Sequence, residues 1–351
     1  MHLKFWKMNV FEKKKIYQVT DILKDVHKIA IVSHFNPDGD AVGSSLALYH
    51  YFKNAGYEVT SILPNPFPGF LAWMPLSNEI IVAEKAKKKA REALKSADLI
   101  FVVDMNAAHR CGNVLEDALA KSPAHKILID HHLNPTDFAD EVHSHPEASS
   151  SCEIVYELLR SEGVKELRSD IATCIYTGLM TDTGNFSYNS TRAELYDIIA
   201  SLLREGVKKD EIYNAVFNQY STDRVRLTGY ALYRKMRIYP EYHLALITLS
   251  ADELERYHYQ IGDTEGLVNM PLQIADVYYS VYMREERPKP GTPKPRIRIS
   301  FRSQGDRPVN SWAAEVFHGG GHANASGGEL FGTIDQAVAL FERSYKKYLK
   351  I

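Results

Sequence analysis

The sequence predicts an α/β chain: a parallel-sheet domain, a helical connector, and a smaller α+β domain at the C-terminus. Three observations carry this expectation. At 351 residues the chain exceeds what a single hydrophobic core usually serves, so two domains are expected. In the first part, four short β-branched-rich runs alternate with helical patterns, as βαβ units around a parallel sheet do. In the last third the pattern turns to alternating strands and clustered glycine. The boundaries fall at residues 1–205 for the first domain, 206–236 for the connector and 237–351 for the second.

The four runs are Lys28–His34, Glu58–Pro64, Leu99–Met105 and Lys126–His132. Between the first two, Asp40–Asn54 spaces Val42, Leu46, Tyr49 and Phe52 near the helical period and closes at Gly56, a C-terminal stop. Ala83–Ser96 is rich in the helix formers Ala, Lys and Glu, and a shorter helical pattern covers Val114–Lys121. After the fourth strand, Ser150-x-x-Glu153 reads as a capping box before the apolar run Ile154–Leu159. A helix over Ser169–Met180 runs into the polar turn Thr181–Gly184, and another, Ala193–Arg204, ends at Gly206. Lys208–Arg237 reads as helical with little turn chemistry, which suits a connector. Beyond it, His243–Leu249, Val277–Met283 and Arg296–Ser303 read as strands. The last alternates strictly, with Ile297, Ile299 and Phe301 on one face and Arg298, Ser300 and Arg302 on the other. A basic, Pro-rich loop spans Arg287–Pro295, glycine crowds into Gly319–Gly321 and Gly327–Gly328, and a final helix covers Asp335–Tyr348.

Composition narrows the function. An apolar fraction of 45% and a charged fraction of 25% are those of an ordinary soluble globular chain. The 42 basic and 44 acidic residues leave a net charge of −2, which argues against stable coating of long nucleic acid. A short anionic substrate stays open, because bound metal can supply the positive field locally. Cys111, Cys152 and Cys174 offer neither a disulfide framework nor zinc-finger spacing, so a reducing cytoplasm is expected. Met1–Lys15 lacks the apolar core of a signal peptide, and runs such as Ile100–Val103 are too short to span a bilayer, so no membrane partner is expected.

Metal-type residues stand where the strands end. The first run leads into His34, Asp38 and Asp40, the third into Asp104 and the fourth into Asp130, His131 and His132, while a later helix delivers Asp182. In open parallel sheets, sites form outside the carboxyl ends of the strands. Oxygen-rich donors with some imidazole and no thiolate suit ions like Mn²⁺ or Mg²⁺ better than structural zinc. Six such ligands are too many for one ion with open positions, but suit two ions roughly 3.5–4 Å apart. Each motif alone has a local reading: Asp38-Gly39-Asp40 is an ordinary turn and helix cap, and adjacent His131 and His132 are ordinary surface residues. Their co-occurrence at successive strand ends outweighs those readings.

His34-x-x-Pro37-Asp38-Gly39-Asp40, Val103-Asp104-x-Asn106, Asp130-His131-His132 and Gly178-x-x-Thr181-Asp182-Thr183-Gly184 resemble the successive motifs of DHH phosphoesterases. Arg302-Ser303 and Gly319-Gly320-Gly321-His322-x-x-Ala325-Ser326-Gly327 resemble the DHH-associated C-terminal domain. The resemblance covers nearly the whole chain and is closest in layout to the nanoRNase (oligoribonuclease) and pAp-phosphatase group and its cyclic-dinucleotide-processing relatives. It implies that His34 and Asp38 hold one ion, that Asp40, His131 and Asp182 hold a second, and that Asp104 bridges the two. It further implies that Asp130 fixes an imidazole, that His132 faces the substrate phosphate or leaving group, and that Arg302, Gly320, Gly321, His322 and Ser326 bind substrate. Two divalent ions are implied, Mn²⁺ ahead of Mg²⁺ or Co²⁺. The implied substrates are short oligoribonucleotides and 3′-phosphoadenosine 5′-phosphate, with cyclic or linear dinucleotides as the alternative and a non-catalytic nucleotide sensor as a further rival. A homodimer is the base-rate expectation.

Overall fold

A computed structural model describes residues 19, 21–288 and 294–349. Met1–Lys15 and the centre of the basic loop, with Lys289, lie outside the described residues. The chain divides into two units, Met1–Gln219 and Tyr220–Ile351.

The sheet of the first unit comprises β1 (Lys28–Val32), β2 (Glu58–Leu63), β3 (Ile81–Val82), β4 (Leu99–Val103), β5 (His125–Asp130) and β6 (Glu141–Ser144). All run parallel, in the spatial order β3-β2-β1-β4-β5-β6. The chain grows outward from β1 on one side, then returns to lay β4 on its other edge, so the switch point lies between β1 and β4. Strands covered on both faces need continuous apolar runs rather than alternation, and all of β4 is buried. Its helices are α1 (Gly39–Asn54), α2 (Lys87–Ser96), α3 (Glu116–Lys121), α4 (Ser151–Ser161), α5 (Ser169–Asp182), α6 (Ala193–Arg204) and α7 (Lys209–Phe217). Ile29, Ile31, Phe101 and Ile129 pack with α1, α4, α5 and α6 on one face. Ala30, Val32, Ile100 and Val102 pack with α2 and α3 on the other.

The expected four strands are short by two. β3 has two residues, and β6, Glu-Val-His-Ser, has one apolar side chain, so neither carries a periodic signal. The helix expected from Ala83 starts at Lys87, because the Ala86 and Lys85 amides first close a turn on the Val82 carbonyl. The stretch Lys208–Arg237 is not one helix. α7 stops at Phe217, α8 (Thr222–Tyr230) begins behind a cap in which the Ser221 hydroxyl accepts from the Arg224 amide, and a π-helical turn, Ala231–Lys235, follows. The unit boundary therefore falls inside the expected connector, at Gln219 and Tyr220.

The second unit continues with β7 (Arg237–Tyr239), β8 (Leu244–Leu249), α9 (Ala251–Arg256), β9 (Tyr279–Glu286), β10 (Arg296–Ser303), α10 (Asn310–Phe317), β11 (Gly320–His322), β12 (Ala325–Phe331) and α11 (Ile334–Tyr348). The sheet order is β11-β12-β10-β9-β8-β7, with β8 and β9 parallel and the other neighbours antiparallel. The alternation of β10 sets Ile297, Ile299 and Phe301 against Trp312, Phe317 and Phe341. The glycine cluster forms the β11–β12 hairpin. Among the described residues no helix is long and apolar enough to cross a membrane.

Close contact between α1 and α5 brings the start of one helix to the end of the other. A Cβ on Gly43 would stand 2.7 Å from the Cys174 carbonyl oxygen and 3.0 Å from Cys152 Sγ, and one on Gly39 would stand 2.2 Å from Thr181 Oγ1. Gly43→Ala is therefore expected to cost about 1–3 kcal/mol by overpacking. A lower urea midpoint at constant m-value is the expected reading; an unchanged midpoint would contradict the close approach.

Candidate metal centre

The backbone around the switch point explains how the candidate ligands are aimed. His34 follows β1, and Asp38 caps α1, its Oδ1 accepting from the amides of Asp40 at 3.0 Å and Ala41 at 3.1 Å. The cap reading of Asp38 holds, and it leaves Oδ2 outside the cap bonds. Asp104 follows β4 at φ 58°, and its amide donates to the Ile129 carbonyl at 2.9 Å. A non-glycine residue in the left-handed region is strained and persists where its surroundings fix it. β5 ends at Asp130, just before His131 and His132, and α5 ends at Asp182.

Asp104 presents one oxygen to each of two groups. Its Oδ2 lies 3.2 Å from His34 Nε2, which is 4.0 Å from Asp38 Oδ1. Its Oδ1 lies 3.6 Å from His131 Nε2, which in turn is 3.5 Å from Asp182 Oδ2 and 3.9 Å from Asp40 Oδ2. Ligand atoms of His34, Asp38 and Asp104 all lie within 4.8 Å of one another, as do those of Asp40, His131 and Asp182. A third such group joins Asp104, Asp130 and His132. Asp130 grips His132, with Oδ1 2.7 Å from Nδ1 and Oδ2 accepting from the amide at 3.2 Å. The Nδ1 of His131 lies instead 3.4 Å from the Ala148 carbonyl oxygen.

Groups that sequence reasoning missed complete the centre. The amides of Ser151 and Cys152, at the start of α4, donate to Asp40 Oδ2 at 2.6 Å and Oδ1 at 2.9 Å. The Ser151 hydroxyl donates to Asp104 Oδ1 at 3.0 Å. A helix N-terminus favours a carboxylate in this position. The signal available was Ser150-x-x-Glu153, but its capping box forms only by half. Ser150 Oγ accepts from the Glu153 amide at 3.3 Å, whereas the Glu153 side chain accepts from the amide and hydroxyl of Ser149, both at 2.7 Å.

Asp40 and Asp104 are each 1% exposed, and His131 and His34 are buried; Asp38, Asp182 and His132 form the more open side. Among the described residues, the ion-pair partners of Asp40 and Asp104 are histidines alone. Burial, then the neighbouring Asp40 and Asp38, push the Asp104 carboxyl well above its usual range. Burial also raises Asp40, against the pull of His131. For His131, burial opposes the charged ring, but Asp182, Asp104, Asp40 and Asp130 outweigh it and bring the pKa up to about 9. A buried acidic cluster of this kind, with oxygen and imidazole donors, suits hard divalent cations. All three cysteines are buried, and burial raises each thiol, so none is an activated nucleophile.

The expected substrate residues belong to the second unit. Arg302 pairs with Ala325, which pairs with His322, so the cationic residue and the imidazole flank one small residue on the same face. Gly320 would meet nothing within 4 Å if it carried a Cβ, so packing does not demand glycine there. Gly321 is different: its φ is 136°, and a Cβ would stand 2.6 Å from the Ala325 carbonyl oxygen. Ser326 is set apart from Arg302. It pairs with core-facing Phe301, is buried, and donates its hydroxyl to the His322 carbonyl at 2.8 Å, tying the hairpin together.

A family model described as the DHH family, N-terminal domain, matches residues 28–179. Over 329 residues the chain is 28% identical to the bifunctional oligoribonuclease and PAP phosphatase NrnA of Thermus thermophilus, covering 92% of this chain and 91% of that one. It is 27% identical to the NrnA of Bacillus subtilis, covering 91% and 95%. The crystal structure of an exopolyphosphatase-related protein from Bacteroides fragilis is 45% identical, covers 97% of this chain and 98% of that one, and superposes with a TM-score of 0.90.

His131, raised from 6.5 to about 9, is protonated near neutrality in the metal-free chain and must lose that proton to act as a ligand. A raised folded-state value stabilises the metal-free fold below pH 6.5, and the contribution disappears as pH rises through about 9. Ion binding at pH 7.5 is thus expected to release about one proton from this ring, with affinity climbing up to about tenfold per pH unit across that window. Calorimetry in buffers of different ionisation enthalpy measures the release; binding with none would remove His131 from the ligand set.

Proposed function

The chain belongs to the DHH family, and we propose that it is a two-metal phosphoesterase that hydrolyses short oligoribonucleotides to mononucleotides and also dephosphorylates 3′-phosphoadenosine 5′-phosphate. The observation that carries this reading is the Asp104 carboxylate, with one oxygen toward His34 and the other toward His131. The substrate class rests on likeness to proteins named as oligoribonucleases and PAP phosphatases over more than nine-tenths of both chains.

His34, Asp38 and Asp104 would hold one divalent ion, and Asp40, His131, Asp182 and Asp104 the other, with Mn²⁺ preferred over Mg²⁺ or Co²⁺ for this donor set. When bound, the ions supply the positive charge and the activated water that hydrolysis at phosphorus requires. The protein's own groups do the positioning. Ser151 and the α4 amides fix Asp104 and Asp40 before substrate arrives. Asp130 holds His132 by Nδ1, so a hydrogen bond from this ring to the phosphate or to the departing oxygen runs from Nε2. Arg302, His322 and the open backbone at Gly320 and Gly321 bind further phosphate or ribose oxygens of the substrate, with Ser326 setting the hairpin that carries them. The first unit is then catalytic and the second substrate-binding. With a net charge of −2 the protein forms no lasting complex with long nucleic acid. We place it in the cytoplasm, as a homodimer by base rate.

A chromatographic product assay with Mn²⁺ tests the reading, comparing a 5′-phosphorylated RNA dinucleotide with 3′-phosphoadenosine 5′-phosphate, cyclic di-AMP, long single-stranded DNA and pyrophosphate. Fastest release of mononucleotides from the RNA dinucleotide is expected; turnover confined to another substrate would overturn the substrate assignment. Asp104→Ala is expected to lower hydrolysis more than about 100-fold, beyond the loss seen for residues that merely support a ligand. Near-normal turnover would refute the shared ligand. Arg302→Ala should raise KM about 10–100-fold, the worth of one hydrogen bond to a charged group, with metal content intact. Unchanged KM and kcat would remove Arg302 from the site.

A further inference from the structure

The segment 145–150, between β6 and α4, contains none of the proposed ligands, yet it and the residues that follow hold several of them. The Ala148 carbonyl oxygen faces His131 Nδ1 at 3.4 Å. Directly after it, the Ser151 and Cys152 amides grip Asp40 and the Ser151 hydroxyl grips Asp104. The placement of this segment therefore sets the positions of Asp40 and His131 together.

An ion pair between buried Glu153 and partly exposed Arg192 fixes that placement. Glu153 is 1% exposed. Its Oε2 accepts from the amide and hydroxyl of Ser149, both at 2.7 Å, and its Oε1 accepts from Arg192 at 2.7 Å. Arg192, the residue before α6, uses its other terminal nitrogen to donate to the Glu147 carbonyl at 2.8 Å. Asn189, at φ 47°, donates from its side-chain amide to the carbonyls of Ser149 at 3.3 Å and Ala148 at 3.5 Å. A pair with one partner buried and the other partly exposed is a poor source of net stability, because desolvation and solvent screening offset most of the Coulombic gain. Its effect is geometric. Apart from the Glu153–Arg192 pair itself, these bonds converge on 147–149, the three residues that lie just before the amides gripping Asp40.

We propose that Glu153 and Arg192, with Asn189, are positioning residues for the second metal position, Asp40–His131–Asp182, and set its affinity without touching the ion. The proposal rests on the two-metal reading above. Its selectivity follows from the contacts. Asp40 and His131 both rest on the held segment, whereas the ring of His34 is held through the Phe35 carbonyl and Asp38 by its own helix start.

Titration of the full chain with Mn²⁺, followed by electron paramagnetic resonance of the free ion, tests this on wild type, Arg192→Gln, Arg192→Lys and Asn189→Ala. Two binding steps are expected in wild type. In Arg192→Gln, one step is expected to weaken about 10–100-fold while the other stays within about twofold, with partial recovery in Arg192→Lys. Asn189→Ala, at an exposed residue, should shift the same step in the same direction, and it decides the matter if Arg192→Gln fails to fold. Urea midpoints of the metal-free variants separate positioning from general loss of structure. Two steps unchanged in the variants, or both weakened together in proportion to lost stability, would overturn the proposal and leave the two-metal reading standing. A wild type that takes up a single ion would overturn both.

Discussion

The first unit turns on the carboxylate of Asp104, whose Oδ2 lies 3.2 Å from His34 and whose Oδ1 lies 3.6 Å from His131. For one side chain to reach both groups it must sit where the sheet order reverses, between β1 and β4, and the order β3-β2-β1-β4-β5-β6 creates that place. It must also leave its strand at an angle that an extended backbone does not give. The left-handed φ of 58° supplies that angle, at a cost of order 1–3 kcal/mol that the surrounding hydrogen bonds offset. The glycine contact of α1 with α5 is a further condition, since it brings Asp38 and Asp40 at one helix start to Asp182 at the other helix end.

That arrangement concentrates negative charge in a buried place without lysine or arginine ion pairs to Asp40 or Asp104 among the described residues. Substrate phosphates are anionic as well, so the protein's own charge there repels what it must bind. Divalent cations held by these residues would resolve the conflict, because they would neutralise the carboxylates and attract the phosphate together. The guanidinium of Arg302 belongs to the second unit and is remote from the acidic cluster in sequence.

Much of this was legible in the residues. The runs Lys28-Ile-Ala-Ile-Val32 and Leu99-Ile-Phe-Val-Val103 announce strands buried on both faces, and the acids and imidazoles after them carry their chemistry in their identity. β3 and β6 were not legible, since two to four residues on a sheet edge hold no period. The break at Ser221 hid inside a helical pattern, where one serine cap outweighs the propensity on either side. The donors to Asp40 were hidden for a deeper reason. They are backbone amides, which any residue but proline at 151 and 152 would provide, so only the fold shows that they converge there. Ser326 could not be placed from its identity alone: its register with Phe301 turns it toward the core, where its hydroxyl ties the hairpin.

The spread of the proposed ligands along the chain, from His34 to Asp182, fixes an order of events during synthesis. Translation delivers the amino-terminal end first, and the three proposed ligands nearest it, His34, Asp38 and Asp40, follow a strand that gains its second neighbour only when β4 emerges. Asp182 is the last residue of α5, so the second group is incomplete until nearly the whole first unit has left the ribosome. Until then a nascent chain presents at most the first group, His34, Asp38 and Asp104. At the second group, selection of the ion would fall to the folded protein, whose rigid spacing discriminates, rather than to a loose peptide, which would follow the general affinity order of the metals.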